Sequence, residues 1–82
     1  TTKGVDETMI IVHLKDNQDG EFAITVNGLS TGANQFVFAN ETADFPILVK
    51  NDQLVNDSAK ICAMRDDDSS FKKEVCVIVK AI

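Results

Sequence analysis

Lys60-Ile61-Cys62-Ala63-Met64-Arg65 and Glu74-Val75-Cys76-Val77-Ile78-Val79 are the two runs whose reading decides the fold. Both are short, apolar and bounded by polar residues. Between them lies the acidic stretch Asp66-Asp67-Asp68-Ser69-Ser70. The pattern is that of two strands joined by a polar hairpin tip. Antiparallel partners keep a constant index sum. If Cys62 faces Cys76, then Met64 faces Glu74, Lys60 faces Ile78 and Asp66 faces Lys72. Asp66 opposite Lys72 is a favourable cross-strand pair, whereas Arg65 opposite Lys73 is not. Opposed cysteines on adjacent strands can bridge at the closer, non-hydrogen-bonded type of pair. If the two cysteines sit on different sheets, the bridge becomes an inter-sheet staple and this register fails.

The size of the chain gives the bridge its importance. Its 82 residues make one domain, residues 1–82, that buries only about 60–65% of its unfolded surface. Small natural domains usually add a staple. A Cys62–Cys76 bridge closes a loop of about 15 residues, worth roughly 3 kcal/mol. Two cysteines allow one intramolecular connectivity. Unpaired buried thiols and a redox pair are the other readings. The spacing is far too wide for Cys-x-x-Cys, so a structural disulfide is expected.

Strand signals continue upstream. Residues 8–15 form a β-branched apolar run, with His13 on the face opposite Ile10, Val12 and Leu14. Residues 21–27 alternate, with Phe22, Ile24 and Val26 on one face. The intervening Asp16-Asn17-Gln18-Asp19-Gly20 is turn chemistry, which predicts a hairpin between the two runs. Asn27-Gly28 marks the next turn. Ser30 to Gln35 reads as a polar stretch, followed by a short strand with Phe36 and Phe38 on one face. After a polar connector over 39–44, Phe45, Ile47 and Val49 alternate again. Pro46 demotes that strand to an edge. Asn51 to Ser58 is a second polar loop. No apolar period of 3.6 is sustained, so no helix is expected. Six strand-like segments predict an all-β protein: a small antiparallel sandwich of six or seven strands with one disulfide.

Composition excludes several functions. With 8 Lys+Arg against 13 Asp+Glu the net charge is −5, which opposes binding to nucleic acid. No apolar run is long enough to span a membrane. One His and two Cys do not supply a four-ligand structural zinc site without help from carboxylates, and one His excludes a blue-copper centre. No metal or cofactor is expected. His13 has no catalytic partner in sequence, and no nucleophile elbow is present. The chain is therefore not expected to be an enzyme.

Four features carry other chemistry. Asn40-Glu41-Thr42 and Asn56-Asp57-Ser58 are N-glycosylation sequons in polar loops, making Asn40 and Asn56 candidate acceptors. Asp16–Gly20 resembles half of a calcium loop, but Lys15 and Val26 fall on ligand positions, leaving a turn. Asp66, Asp67, Asp68 and Ser70 form the densest acidic cluster, a candidate partner or cation loop, although Arg65, Lys72 and Lys73 compensate much of its charge. Thr8–Leu14 and Val75–Ile82 are apolar terminal strands of the kind that pair with a neighbouring subunit. Met9, Ile11, Ile78 and Ile82 are the candidate contacts. Lys50, Lys60, Lys72, Lys73 and Lys80 would guard strand edges. The chain starts at Thr1 without an initiator Met, as expected after removal of a signal, a propeptide or a neighbouring domain.

The segment Glu21–Asn27 and the paired runs around Cys62 and Cys76 resemble the strands of secreted immunoglobulin-like surface modules. The Cys…Trp…Cys spacing of that family is absent. The disulfide-closed terminal hairpin is similar to that of the globular part of type IV pilins, whose N-terminal apolar helix this chain lacks. Neither resemblance transfers a site residue. Together these features lead to an expectation of an exported structural or adhesive module, acting outside the cell or on its surface. It would be a subunit of a filament, pilus or surface assembly, partnered by itself or another surface protein. The alternative is a monomeric secreted binding module or inhibitor presenting the 66–70 loop.

Overall fold

A computed structural model of the chain describes residues 1–65 and 74–82. The described residues form six strands: β1 (Glu7–Lys15), β2 (Gly20–Val26), β3 (Leu29–Val37), β4 (Thr42–Lys50), β5 (Ser58–Arg65) and β6 (Glu74–Lys80). A 3₁₀ turn, Asn51–Gln53, follows β4. The strands form two antiparallel sheets, ordered β1-β4 and β3-β2-β5-β6. Ile10 of β1 and Phe45, Ile47 and Val49 of β4 pack on Phe22, Ile24, Val26, Val37 and Ile61 from the larger sheet. This is a small β-sandwich, and the alternation of apolar residues along each strand builds its inner faces.

The predicted terminal hairpin has the expected register. Cys62 pairs with Cys76, Met64 with Glu74 and Lys60 with Ile78. Ala81 N–H donates to the Asp57 carbonyl, which places the hydrogen-bonded pairs at odd positions of β5. Cys62 and Cys76 thus form the close, non-hydrogen-bonded type, with Cα atoms 4.1 Å apart. The disulfide joins adjacent strands of one sheet, not the two sheets. The pairs of Asp66 with Lys72 and Arg65 with Lys73 fall on residues outside the described ones.

Three expectations are corrected. Residues 8–15 and 21–27 do not form a hairpin: β1 pairs with β4, while β2 pairs with β3 and β5. The connector 16–19 is an arch between sheets, and local bonds hold it in that shape. Asp16 Oδ1 accepts the Gln18 N–H, the Asp16 carbonyl accepts Asn40 N–H, and Asp19 Oδ1 accepts Ala39 N–H at 2.6 Å. Second, Ser30–Gln35 is not a connector but the body of β3, and Phe38 lies beyond its end. The Asn27-Gly28 turn, with both φ positive at 51° and 85°, returns the chain directly onto β2. Because β3 is an edge strand, its small and polar residues need only half-burial. Third, Lys60 is on the inner strand β5, so it guards no edge.

Pro46 does sit on an edge, as predicted. Asn51 N–H donates to the Asp6 carbonyl, so the even-numbered residues of β1 make the ladder bonds to β4. Pro46, opposite Ile11, then lacks only an N–H that would point away from β1.

Asp57, in the turn before β5, accepts a 2.7 Å bond from Lys3. That bond, then the Lys3 charge, hold its carboxyl below the usual aspartate range, with Lys80 adding a smaller push. The folded value is therefore depressed, so the contribution is present above about pH 3.8 and is lost as pH falls through the lower folded value. Asp57→Asn keeps a residue that tolerates the positive φ of 61°. Its stability should fall less steeply than the parent's in acid, measured by urea unfolding across that range. Identical acid slopes would exclude the pair from acid sensitivity.

Candidate functional interface

The N-terminal segment locates the open side of the sandwich. Thr1 N–H donates to the Lys80 carbonyl, Ile82 N–H to Thr1, and Lys3 N–H to Ile82. Residues 1–3 thus run parallel to the end of β6. The Thr1 hydroxyl also donates to the Met9 carbonyl of β1 at 3.2 Å. One residue therefore touches both β1 and β6, and the outer edges of these strands share one flank. Fully buried Thr8 holds this segment in place by donating to Asn51 Oδ1 at 2.7 Å, while Asn51 Nδ2 donates to the Gly4 and Val5 carbonyls.

On that flank β1 is open. Met9, Ile11 and His13 turn their N–H and C=O groups away from β4, because the even positions make the ladder. Among the described residues, the backbone groups of Ile11 and His13 find no partner beyond that ladder. The opposite flank is closed. There Pro46 presents no donor, and Gln35 of β3 donates to the Asp44 carbonyl at 2.7 Å.

β6 overhangs the same flank. Val75 and Val77 pair with Ala63 and Ile61 and so share their inward face. Ala63 and Ile61 are 7% and 2% exposed, but Val75 and Val77 are 54% and 55% exposed. The cause is the unequal sheets: four strands face two, and nothing described covers the inner side of the fourth. An unpaired strand edge and an uncovered apolar strip thus border one gap.

The four residues expected as subunit contacts are all exposed: Met9, Ile11, Ile78 and Ile82. They do not form one patch. Met9 and Ile11 lie on the outer face of the small sheet, beside Leu48 and Pro46. Ile78 lies on the outer face of the large sheet, beside Lys60. What they share is the flank. Val75 and Val77 belong to the apolar Val75–Ile82 run but were not singled out as contacts, because only the facing sheet's width exposes them.

The other candidates are dispersed. His13 Nδ1 lies 2.6 Å from Asp44 Oδ1, an exposed cross-strand pair that only the β1–β4 register reveals. Glu74 Oε1 is 3.6 Å from Cys76 Sγ. Both sulfurs of that cluster are spent in the disulfide, leaving no thiolate for a metal. Asn40 and Asn56 occupy exposed turns. Asp66, Asp67, Asp68 and Ser70 lie outside the described residues. Arg65, read from sequence as part of the loop's charge balance, is buried and stacks 5.4 Å from the Phe22 ring. No helix among the described residues is long and apolar enough to cross a membrane. Comparison with protein-family models, curated proteins and solved structures finds no match.

Proposed function

We propose that this protein is an exported structural or adhesive module of an extracellular assembly, joined to its neighbour by strand addition on the β1–β6 flank. The observation that carries the reading is the exposure of inward-facing Val75 and Val77 beside the unpaired β1 edge. An incoming extended segment would gain ladder bonds from Ile11 and His13 and cover both valines with alternate apolar side chains. Chemistry at this gap would consist of backbone pairing and apolar burial. Binding of this kind needs no bond-making step.

Light scattering with negative-stain electron microscopy tests the reading. Ordered filaments or large oligomers are expected from the native protein. Ile11→Pro removes an outward N–H without touching the β1–β4 ladder, and Val77→Lys charges the uncovered strip. Both variants should be folded monomers. A native protein that stays monomeric at high concentration, or variants that assemble normally, would overturn the proposal.

A further inference from the structure

We infer that Asn40, and not Asn56, is the N-glycan acceptor, and that the Phe38 ring is the platform for its first sugar. The inference rests on the reading that the chain is exported. Phe38 and Asn40 occupy positions i and i+2 of one turn, and Thr42 follows it as the first residue of β4. Glu41 N–H donates to the Phe38 carbonyl at 3.1 Å, closing the turn. Asn40 takes φ 63° within it, a conformation asparagine tolerates better than most residues. Bonds from Ala39 N–H to Asp19 and from Asn40 N–H to Asp16 tie the turn down on either side. The backbone is therefore fixed, while the Asn40 side-chain amide makes no hydrogen bond to any described residue and faces solvent. Thr42, the sequon hydroxyl, is exposed at the start of β4.

Phe38 is otherwise unexplained. It is 58% exposed and stands edge-to-face with exposed Phe36, ring centroids 5.0 Å apart. Two half-exposed rings form an apolar patch among the described residues. A pyranose presents an apolar C–H face of similar width, and the ring stands two residues before the acceptor, at the start of the turn that the Glu41–Phe38 bond closes. Asn56 shares the exposed turn and a positive φ, at 52°, but not the ring. No aromatic residue flanks it, Asp57 is engaged by Lys3, and the sequon Ser58 is half-buried as the first residue of β5.

The modification is a transfer from a lipid-linked saccharide pyrophosphate. A bond forms between Asn40 Nδ2 and the anomeric carbon. The bond from that carbon to the pyrophosphate oxygen breaks, the amide loses one proton, and the lipid pyrophosphate leaves with the electron pair.

The test is secretion of the full chain from yeast behind a supplied leader, with a known secreted glycoprotein as a host control. Peptide-N-glycosidase converts a carrier asparagine to aspartate, which peptide mass then locates. Occupancy is expected at Asn40 with Asn56 bare. Thr42→Ala should abolish the glycan, and Phe38→Ala should lower occupancy several-fold. The glycan should raise Tm by several degrees in the parent and not in Phe38→Ala. Bare Asn40 with a glycosylated control, or occupancy at Asn56 alone, would overturn the site. Unchanged occupancy and an unchanged glycan-dependent Tm in Phe38→Ala would overturn the platform. Because the leader is supplied, these failures are distinct from a failure of assembly.

Discussion

Phe45→Ala is expected to destabilise the fold by about 3–5 kcal/mol, the range for removing a fully buried phenylalanine. Phe45 is 1% exposed and faces Val12 across the β1–β4 pair. It is the largest side chain that the two-stranded sheet contributes to the core. The loss combines the transfer free energy of the ring with a cavity that two short strands cannot collapse around. A chain of this length is held by only about 4–12 kcal/mol in total. The variant should therefore be partly unfolded well below the parent's transition, as urea titration followed by circular dichroism would show. Phe36→Ala is the control. Phe36 is half-exposed on the outer face of β3, so its truncation should change stability by no more than about 0.5 kcal/mol. Equal costs at the two positions would refute the assignment of β4's inner face.

Replacing both Cys62 and Cys76 with alanine should cost roughly 3 kcal/mol, because the bridge spans a sequence separation of 14 and constrains mainly the unfolded chain. Tm should fall by more than about 10 °C, at about 4–8 °C per kcal/mol for a domain of this size. The same drop should follow treatment of the parent with a dithiol reductant. Folded-state contacts predict less, since Cys62 and Cys76 lie on the outer face of the large sheet, and Cys62, although buried, is not part of the central core cluster. A fall of only a degree or two, with unfolding kinetics unchanged, would show that the β5–β6 ladder closes this loop without help. Both results bear on the proposed interface, since β6 carries Val75 and Val77 and is held to the sheet by this bridge.

Part of the proposed interface is legible in the sequence, but in fragments. Met9 and Ile11 were identified from the apolar character of the first strand, and Ile78 and Ile82 from the last. All four are exposed. Alternation could not reveal that Val75 and Val77 are uncovered. Periodicity assigns a residue to a face of its own strand, but exposure depends on what lies opposite. The His13–Asp44 pair was equally hidden, because its members lie 31 residues apart and nothing local links them.

Local pattern marked most of the extended segments, the side chains that share a face and the Asn27-Gly28 turn, and it gave the register around Cys62 and Cys76 on the condition that the two cysteines share a sheet. Each follows from short-range constraints: strand period, turn dihedrals and the reach of a disulfide. Only the tertiary structure decided that β1 leaves its sequence neighbour to pair with β4, and that Ser30–Gln35 becomes an edge strand. It also decided that four strands face two. Those outcomes depend on how whole apolar faces are shared between sheets, a free energy set by long-range packing that no single segment encodes.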